Sequence, residues 1–192
     1  MKKSIIRGKI LDAAQEVFKR YGYGKCTMDD IARELGKGKS SIYYYFTSKE
    51  DIFKAVVENE LGLMKTKLRE AVAQKETAPE KLKTYVLERM HWVKSLKNLN
   101  TILLNEFIVQ REFVEHTRQQ TDNEEIVLVR SILNEGVTAG IFHLEDPTMS
   151  SIAIVTALKG MEIPLLTTHT NDLFEKRLDG LVDVLFFGIL KR

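Results

Sequence analysis

Apolar residues recur at helical spacing along almost the whole chain. The first stripe predicts a helix that ends at Gly22 and Gly24, because glycine favours the end of a helix. Its apolar members are Ile6, Ile10, Ala13, Ala14, Val17, Phe18 and Tyr21. Thr27 with Asp30 three residues later is typical of a capping box. A second helix is therefore expected from Thr27 to Gly36.

Short and long helical patterns follow this pair. Residues 40–46 fit one short helix, and residues 48–72 fit a long one. Pro79 suits the first turn of the next helix, and Pro164 is expected to bend or end a later one. Further helical stretches are predicted at 101–118, 122–138, 146–168 and 171–190. The pattern contains no confident strand, so the predicted fold is all-α, with about nine helices in total.

Length and composition fit a globular protein. The 192 residues, 44% of them hydrophobic, suit one large domain or two small ones with a buried core. The single Cys argues against a disulfide framework and against a multi-cysteine zinc site. The longest apolar run, 181–190, contains Asp183 and is about half the length of a membrane span. We therefore expect a cytoplasmic protein without a membrane partner.

Charge is distributed unevenly along the chain. Residues 1–49 carry eleven Lys/Arg and five Asp/Glu, a net charge of +6, whereas the remainder has a net charge of −4. We call residues 1–49 the head. Its positive charge, next to an acidic remainder, suggests that it contacts a polyanion. An ordinary solvated charged face is the alternative interpretation.

Three short helices within about 46 residues, with a glycine-containing turn between the second and third, have the sequence form of a helix-turn-helix. The third helix carries groups suited to DNA, because ammonium and hydroxyl donors bind phosphate oxygens. These groups belong to Lys39, Ser40, Ser41, Tyr43, Tyr44 and Tyr45. Ile42 and Phe46 are expected to face the core. A polar surface helix is the alternative, although three consecutive tyrosines favour a partner.

The head resembles the amino-terminal segment of the tetracycline-repressor (TetR) family of bacterial regulators. The motifs that carry this resemblance are TMDDIA at 27–32, LG at 35–36, IYYYF at 42–46 and SKED at 48–51. The match covers roughly residues 5–55 and is specific. The rest of the chain resembles the family only in helix number and length.

The resemblance implies a helix-turn-helix DNA-binding domain at 1–50 and a helical ligand-binding and dimerisation domain at 51–192. It implies that Thr27 caps the second helix and touches phosphate, and that Lys49 contacts phosphate. The other DNA-binding residues implied are Lys37, Lys39, Ser40, Ser41, Tyr43, Tyr44 and Tyr45. Of these, Lys39 and Ser41 are expected to influence sequence preference, and Tyr43 to contact the backbone.

The chain departs from the family pattern directly after Gly36. Lys37 and Gly38 stand where an apolar residue and Ser are common. Lys37 either adds a phosphate contact or is simply solvated, and Gly38 offers no capping hydroxyl. The operator sequence therefore cannot be copied from a relative.

The resemblance also implies a homodimer formed by the last two helices. The dimer-interface residues expected are Met149, Ala153, Ala157, Leu178, Leu181, Leu185, Phe186 and Ile189. The final helix is apolar beyond one face, which requires burial on more than one side. The centre of a monomer core is the alternative. A dimer would place two recognition helices on half-sites ~34–36 Å apart in a near-palindromic double-stranded operator.

A small-molecule effector site is implied in the larger domain. The candidate lining residues are Met64, Tyr85, Met90, Trp92, Phe107 and Phe142, with His91, Asn105 or Glu106 as polar anchors. A mostly apolar cavity with few polar groups is typical of a ligand site, although ordinary core packing is the alternative for each residue. The expected effector is hydrophobic or amphipathic, and its binding is expected to release the repressor from its operator.

Nothing in the sequence indicates catalysis, a metal site or a cofactor. The four histidines have no metal-ligand spacing, and no phosphate loop or nucleophile elbow is present. Two alternative functions remain open beside that of a transcriptional regulator. One is a helical small-molecule-binding protein or enzyme without sequence-specific DNA binding. The other is a nonspecific nucleic-acid or partner-docking module, for which DNA affinity would fall steeply with salt and show no preferred site.

Overall fold

The fold is all-α, as the sequence predicts. A computed structural model describes residues 2–96, 98, 100, 111–167 and 171–187. These residues form eight helices and no strand: α1 Lys2–Tyr21, α2 Met28–Leu35, α3 Lys39–Tyr43, α4 Lys49–Ala73, α5 Ala78–Ser95, α6 Arg111–Thr138, α7 Pro147–Leu166 and α8 Asn171–Phe187. None of the helices in this part of the chain is long and apolar enough to cross a membrane.

The chain divides into two compact units. Unit 1 comprises Met1–Leu63 and Leu96–Arg118, and unit 2 comprises Met64–Ser95 and Gln119–Arg192. Helices α4 and α6 contribute residues to both units. The domain boundary expected at residue 50 stays a prediction.

Unit 1 is built around the apolar stripe of α1. Helix α1 packs on α2, and α2 packs on α3. Ile10 and Ala14 of α1, Ile31 of α2 and Ile42 of α3 are fully buried. Phe18 packs edge-on against Phe53 of α4, with ring centroids 5.1 Å apart. Ile42 and Phe46 are buried as predicted, whereas Ile6 and Tyr21 of the predicted α1 stripe are exposed.

Unit 2 has a core formed by α4, α5, α6, α7 and α8. Helix α5 packs against both α7 and α8. The core residues are Leu68, Val72, Ala78, Leu82, Tyr85, Val86, Met90, Val129, Ile132, Leu133, Val155, Leu158, Phe174, Leu178 and Val182. They recur at helical spacing on each element, so burial of one face explains why these segments are helical.

One helix boundary differs from the prediction. The break expected between residues 118 and 122 is wrong, because α6 runs without interruption from Arg111 to Thr138. Within this helix Thr121 is buried, and Asp122 pairs with Lys159 of α7. Pro164 lies inside α7, which continues to Leu166.

Candidate DNA-binding interface

The start of α2 is fixed by a reciprocal capping box. The backbone N–H of Asp30 donates to Thr27 Oγ1 at 3.2 Å, and the N–H of Thr27 donates to Asp30 Oδ2 at 2.9 Å. The Thr27 hydroxyl also donates to Asp30 Oδ2, at 2.7 Å. These bonds lower the pKa of the Asp30 carboxyl. The capping function expected of Thr27 is therefore present, and its phosphate contact stays a prediction.

The turn between α2 and α3 depends on Gly36. This residue adopts φ +68°, in the left-handed region that favours glycine. The next amide, of Lys37, donates to the carbonyl of Ala32 at 3.0 Å and closes the helix end. Gly38 then precedes α3 without a side-chain cap, as its lack of a hydroxyl predicts. This geometry directs the chain from α2 into α3.

Helix α3 presents one apolar and one polar side. Ile42 is 0% exposed, whereas Tyr43 and Tyr44 are 47% and 69% exposed. The exposed polar residues around them are Lys39, Ser40 and Ser41, and Tyr45 is half-buried beside Tyr44. The structure thus brings the predicted recognition residues to one short element anchored by Ile42.

An open groove lies between α1, α2 and α3. It has a volume of about 580 Å³ and is lined by Ile6, Lys9, Leu35, Lys37, Ser41, Tyr44 and Tyr45. Two ammonium groups and three hydroxyls suit the oxygens of a DNA backbone. Lys9 is not among the DNA-binding candidates predicted from the sequence. The only sequence signal for it is the positive net charge of the head. Lys37 lines the same groove, and its phosphate contact stays a prediction.

Lys49 has partners within the chain. Its ammonium donates to the carbonyls of Tyr23 at 2.7 Å and Cys26 at 3.0 Å, and it lies 4.3 Å from the centroid of the Tyr23 ring. The lysine therefore ties the start of α4 to the loop before Thr27. Two of its three N–H donors are engaged there, and the expected phosphate contact stays a prediction.

The candidate effector residues of unit 2 lie mostly in its core. Tyr85 and Met90 belong to the core, and Phe142 packs against it. Met64 is also buried, and Trp92 is half-buried. Phe107, Asn105 and Glu106 lie outside the described residues, and His91 is exposed and pairs with Glu175 at 3.1 Å. The expected lining set stays a prediction.

A buried charge cluster lies in unit 2. Arg89 donates through Nε to Glu125 at 2.5 Å and through Nη2 to Glu162 at 2.7 Å. Tyr85 donates its hydroxyl to Glu125 at 2.6 Å. Burial lowers the pKa of Arg89, but the two carboxylates outweigh it and raise that pKa. Burial and Glu125 together raise the pKa of Tyr85. Sequence reasoning missed this cluster, although Arg89 lies one turn after Tyr85 on a buried face.

The expected dimer-interface residues differ in exposure. Leu178 is 0% exposed in the core of unit 2, whereas Met149 is 60% exposed. Ala153 and Ala157 are exposed, and Leu181, Leu185 and Phe186 are partly buried against the core. Ile189 lies outside the described residues. The surface that α7 and α8 offer also includes Ile152, Ile163, Leu173, Val184 and Phe187, which are all exposed.

Comparison with known proteins assigns the head to a family. Residues 10–56 match the family model described as bacterial regulatory proteins, tetR family. The Staphylococcus epidermidis negative transcriptional regulator IcaR, of the biofilm operon icaADBC, is 39% identical over 54 residues, which cover 28% of this chain and 29% of IcaR.

Solved structures are similar over almost the whole chain. A transcriptional regulator from Cytophaga hutchinsonii has 26% identity and a TM-score of 0.80, with 92% of this chain and 94% of that chain covered. The Bacillus subtilis regulator FadR, solved in complex with stearoyl-CoA, has 24% identity and a TM-score of 0.71, with 95% and 98% covered. The head of the chain therefore matches the tetR family of bacterial regulatory proteins, and the chain as a whole has the fold of solved transcriptional regulators.

Proposed function

We propose that the chain is a repressor that binds a near-palindromic operator as a homodimer and releases it when a small molecule binds. The observation that carries the proposal is the exposed polar side of α3, held by Ile42 and bordered by Lys9 and Lys37. Four polar residues of this helix and the adjacent Tyr44 lie on its exposed side, which suits entry into a major groove. IcaR, a negative regulator similar in this segment, supports repression.

A second copy of the chain is the proposed partner of α7 and α8. Exposed apolar side chains occur along both helices, among them Met149 and Phe187 at 60% and 73% exposure. Burying them against the same helices of a partner would form an isologous interface with two-fold symmetry. That symmetry would give the operator its two half-sites.

The proposed effector is an amphipathic small molecule bound in unit 2. The stearoyl-CoA bound by Bacillus subtilis FadR makes long-chain acyl-CoA the first probe to test. The ligand can act only if it binds one arrangement of the two heads more tightly than the other. Release from DNA is then a measure of that difference.

The deciding experiment selects bound duplexes from a random pool and titrates the best duplex at several salt concentrations. We expect a near-palindrome bound roughly 10³-fold or more tighter than random DNA. If no duplex is enriched and affinity falls steeply with salt, binding is only electrostatic and the repressor proposal is wrong.

One substitution tests the role of α3 directly. Tyr44→Ala should weaken binding to the selected duplex by about tenfold, because it removes an aromatic hydroxyl from the proposed interface. Tyr21→Ala is the matched control, since Tyr21 is also exposed in unit 1 but lies at the end of α1. Equal losses from both variants would contradict the proposed interface.

A further inference from the structure

An ion pair links the start of α2 to the start of α3. Lys39 Nζ lies 2.9 Å from Asp29 Oδ2, and the two side chains are 47% and 57% exposed. The hydrogen bond to Asp29 and its negative charge raise the pKa of Lys39. The neighbouring Asp30 is already engaged by the capping box. Asp30 therefore caps α2, whereas Asp29 pairs with Lys39 of α3.

Asp29 lies in the first turn of α2, where a carboxylate makes a modest contribution to helix stability through the helix dipole. An exposed ion pair contributes little to stability. A carboxylate next to the recognition helix also repels phosphate within the Debye length. Removing it would strengthen attraction to any DNA, so its presence here works against nonspecific binding.

We propose that Asp29 is a specificity-determining residue, which restrains the ammonium of Lys39 and withholds it from the phosphates of nonspecific DNA. This inference rests on the proposed operator recognition. To reach a phosphate, Lys39 must leave Asp29 and expose the carboxylate to the DNA backbone. Nonspecific complexes thus incur a cost that raises the ratio of specific to nonspecific affinity.

A specific complex can avoid that cost. An ammonium group has three donors, so Lys39 can keep its bond to Asp29 while it donates to an acceptor on a base edge. Guanine presents two such acceptors in the major groove. The restraint therefore affects binding to random DNA more than binding to the operator.

The test compares Asp29→Asn with Glu16→Gln. Glu16 pairs with Lys19 at 3.0 Å on α1, so the control removes the same charge from unit 1 and also frees a lysine, away from α3. Dissociation constants are measured on the selected duplex and on random duplex between 50 and 200 mM salt. Thermal melting of each variant checks that the fold is kept.

On random duplex, the logarithm of the affinity falls linearly with the logarithm of the salt concentration. Asp29→Asn should make that slope steeper by about 0.9, the value for one added phosphate contact. It should tighten random-duplex binding at 50 mM salt by about threefold relative to Glu16→Gln, and so lower the specificity ratio. In a Lys39→Gln background, Asp29→Asn should no longer change the salt dependence.

Identical salt dependence of the two variants, or a change in salt dependence from Asp29→Asn that persists without Lys39, would overturn the inference. The outcome is separable from that of the proposed function. If the wild-type chain selects no duplex, operator recognition fails, but the salt dependence on random duplex still decides whether Asp29 restrains Lys39.

Discussion

Gly136 lies near the end of α6, where the ring of Phe142 packs directly on its backbone. A Cβ built at this position would lie 2.1 Å from Phe142 Cδ2. The amide of Phe142 also donates to the carbonyl of Gly136 at 3.0 Å, which holds the backbone of Phe142 close to this glycine. The absence of a side chain at this residue therefore permits the close approach of the loop after α6.

Gly136→Ala should lower the free energy of unfolding by about 1–3 kcal/mol, because the added methyl displaces a packed ring. Gly62→Ala is the control, since a Cβ at that helical position of α4 meets nothing within 4 Å. That change should stabilise the chain by about 0.5–1 kcal/mol. Urea denaturation measures both, and a neutral Gly136→Ala would contradict the described packing.

The buried cluster around Arg89 makes a second prediction for single residues. Arg89→Met leaves Glu125 and Glu162 without their cation, and should cost about 3–5 kcal/mol of stability. Thermal melting of the variant measures this loss.

The control for Arg89→Met replaces the whole cluster. Adding Glu125→Gln and Glu162→Leu removes both charges and keeps an acceptor for the Tyr85 hydroxyl. This triple variant should recover most of the loss, because a charge cluster exchanged for neutral side chains is often tolerated. Thermal melting compares the two variants, and a triple variant no more stable than Arg89→Met would contradict the charge argument.

At the scale of the element, short-range polar bonds set where helices begin. Two pairs with the same spacing, Thr27 with Asp30 and Thr77 with Glu80, form reciprocal bonds at the starts of α2 and α5. In each pair the threonine lowers the pKa of the carboxyl. The stabilisation of these helix starts is therefore present above the ordinary carboxyl pKa and is lost as the pH falls through the lowered value.

Thr27→Ala should reduce stability at pH 7, typically by about 0.5–2 kcal/mol for a lost helix cap. Because Asp30 loses its charge in acid, the difference between wild type and variant should shrink as the pH falls below 3.8, the ordinary value for that carboxyl. Melting temperatures between pH 7 and 3 test this. A difference that grows in acid would contradict the assigned capping box.

These elements show which features the sequence could predict. The capping box at Thr27 spans three residues and the apolar stripes span single helices, so a linear pattern reveals them. The partners of Arg89 lie 36 and 73 positions away in sequence, and no local sequence pattern indicates contacts over such distances along the chain. Lys49 is similar, since its carbonyl partner at Tyr23 is 26 positions away. Long-range polar contacts thus depend on helix packing that periodicity does not determine.

At the scale of the whole molecule, α7 and α8 leave apolar side chains exposed to solvent. Val184→Glu should convert the proposed dimer into monomer, because a charge would be buried in the interface. Operator affinity should then fall by roughly tenfold or more, since one head must bind alone. Val127→Glu is the matched control, since Val127 on α6 is 57% exposed and Val184 is 54% exposed.

Sedimentation velocity at micromolar concentration measures the oligomeric state of both variants. We expect a dimer for wild type and Val127→Glu, and a monomer for Val184→Glu. A dimer that persists in Val184→Glu would place the interface elsewhere on the surface.

Ile42 attaches helix α3 to the core of unit 1. Five residues that flank it in sequence are exposed to solvent: Lys39, Ser40, Ser41, Tyr43 and Tyr44. Surface substitutions away from special features usually change stability by less than about 0.5 kcal/mol. Mutations at these five positions can therefore accumulate without unfolding the head. Under the proposed function, such an arrangement would let the preferred DNA sequence change while the scaffold stays the same.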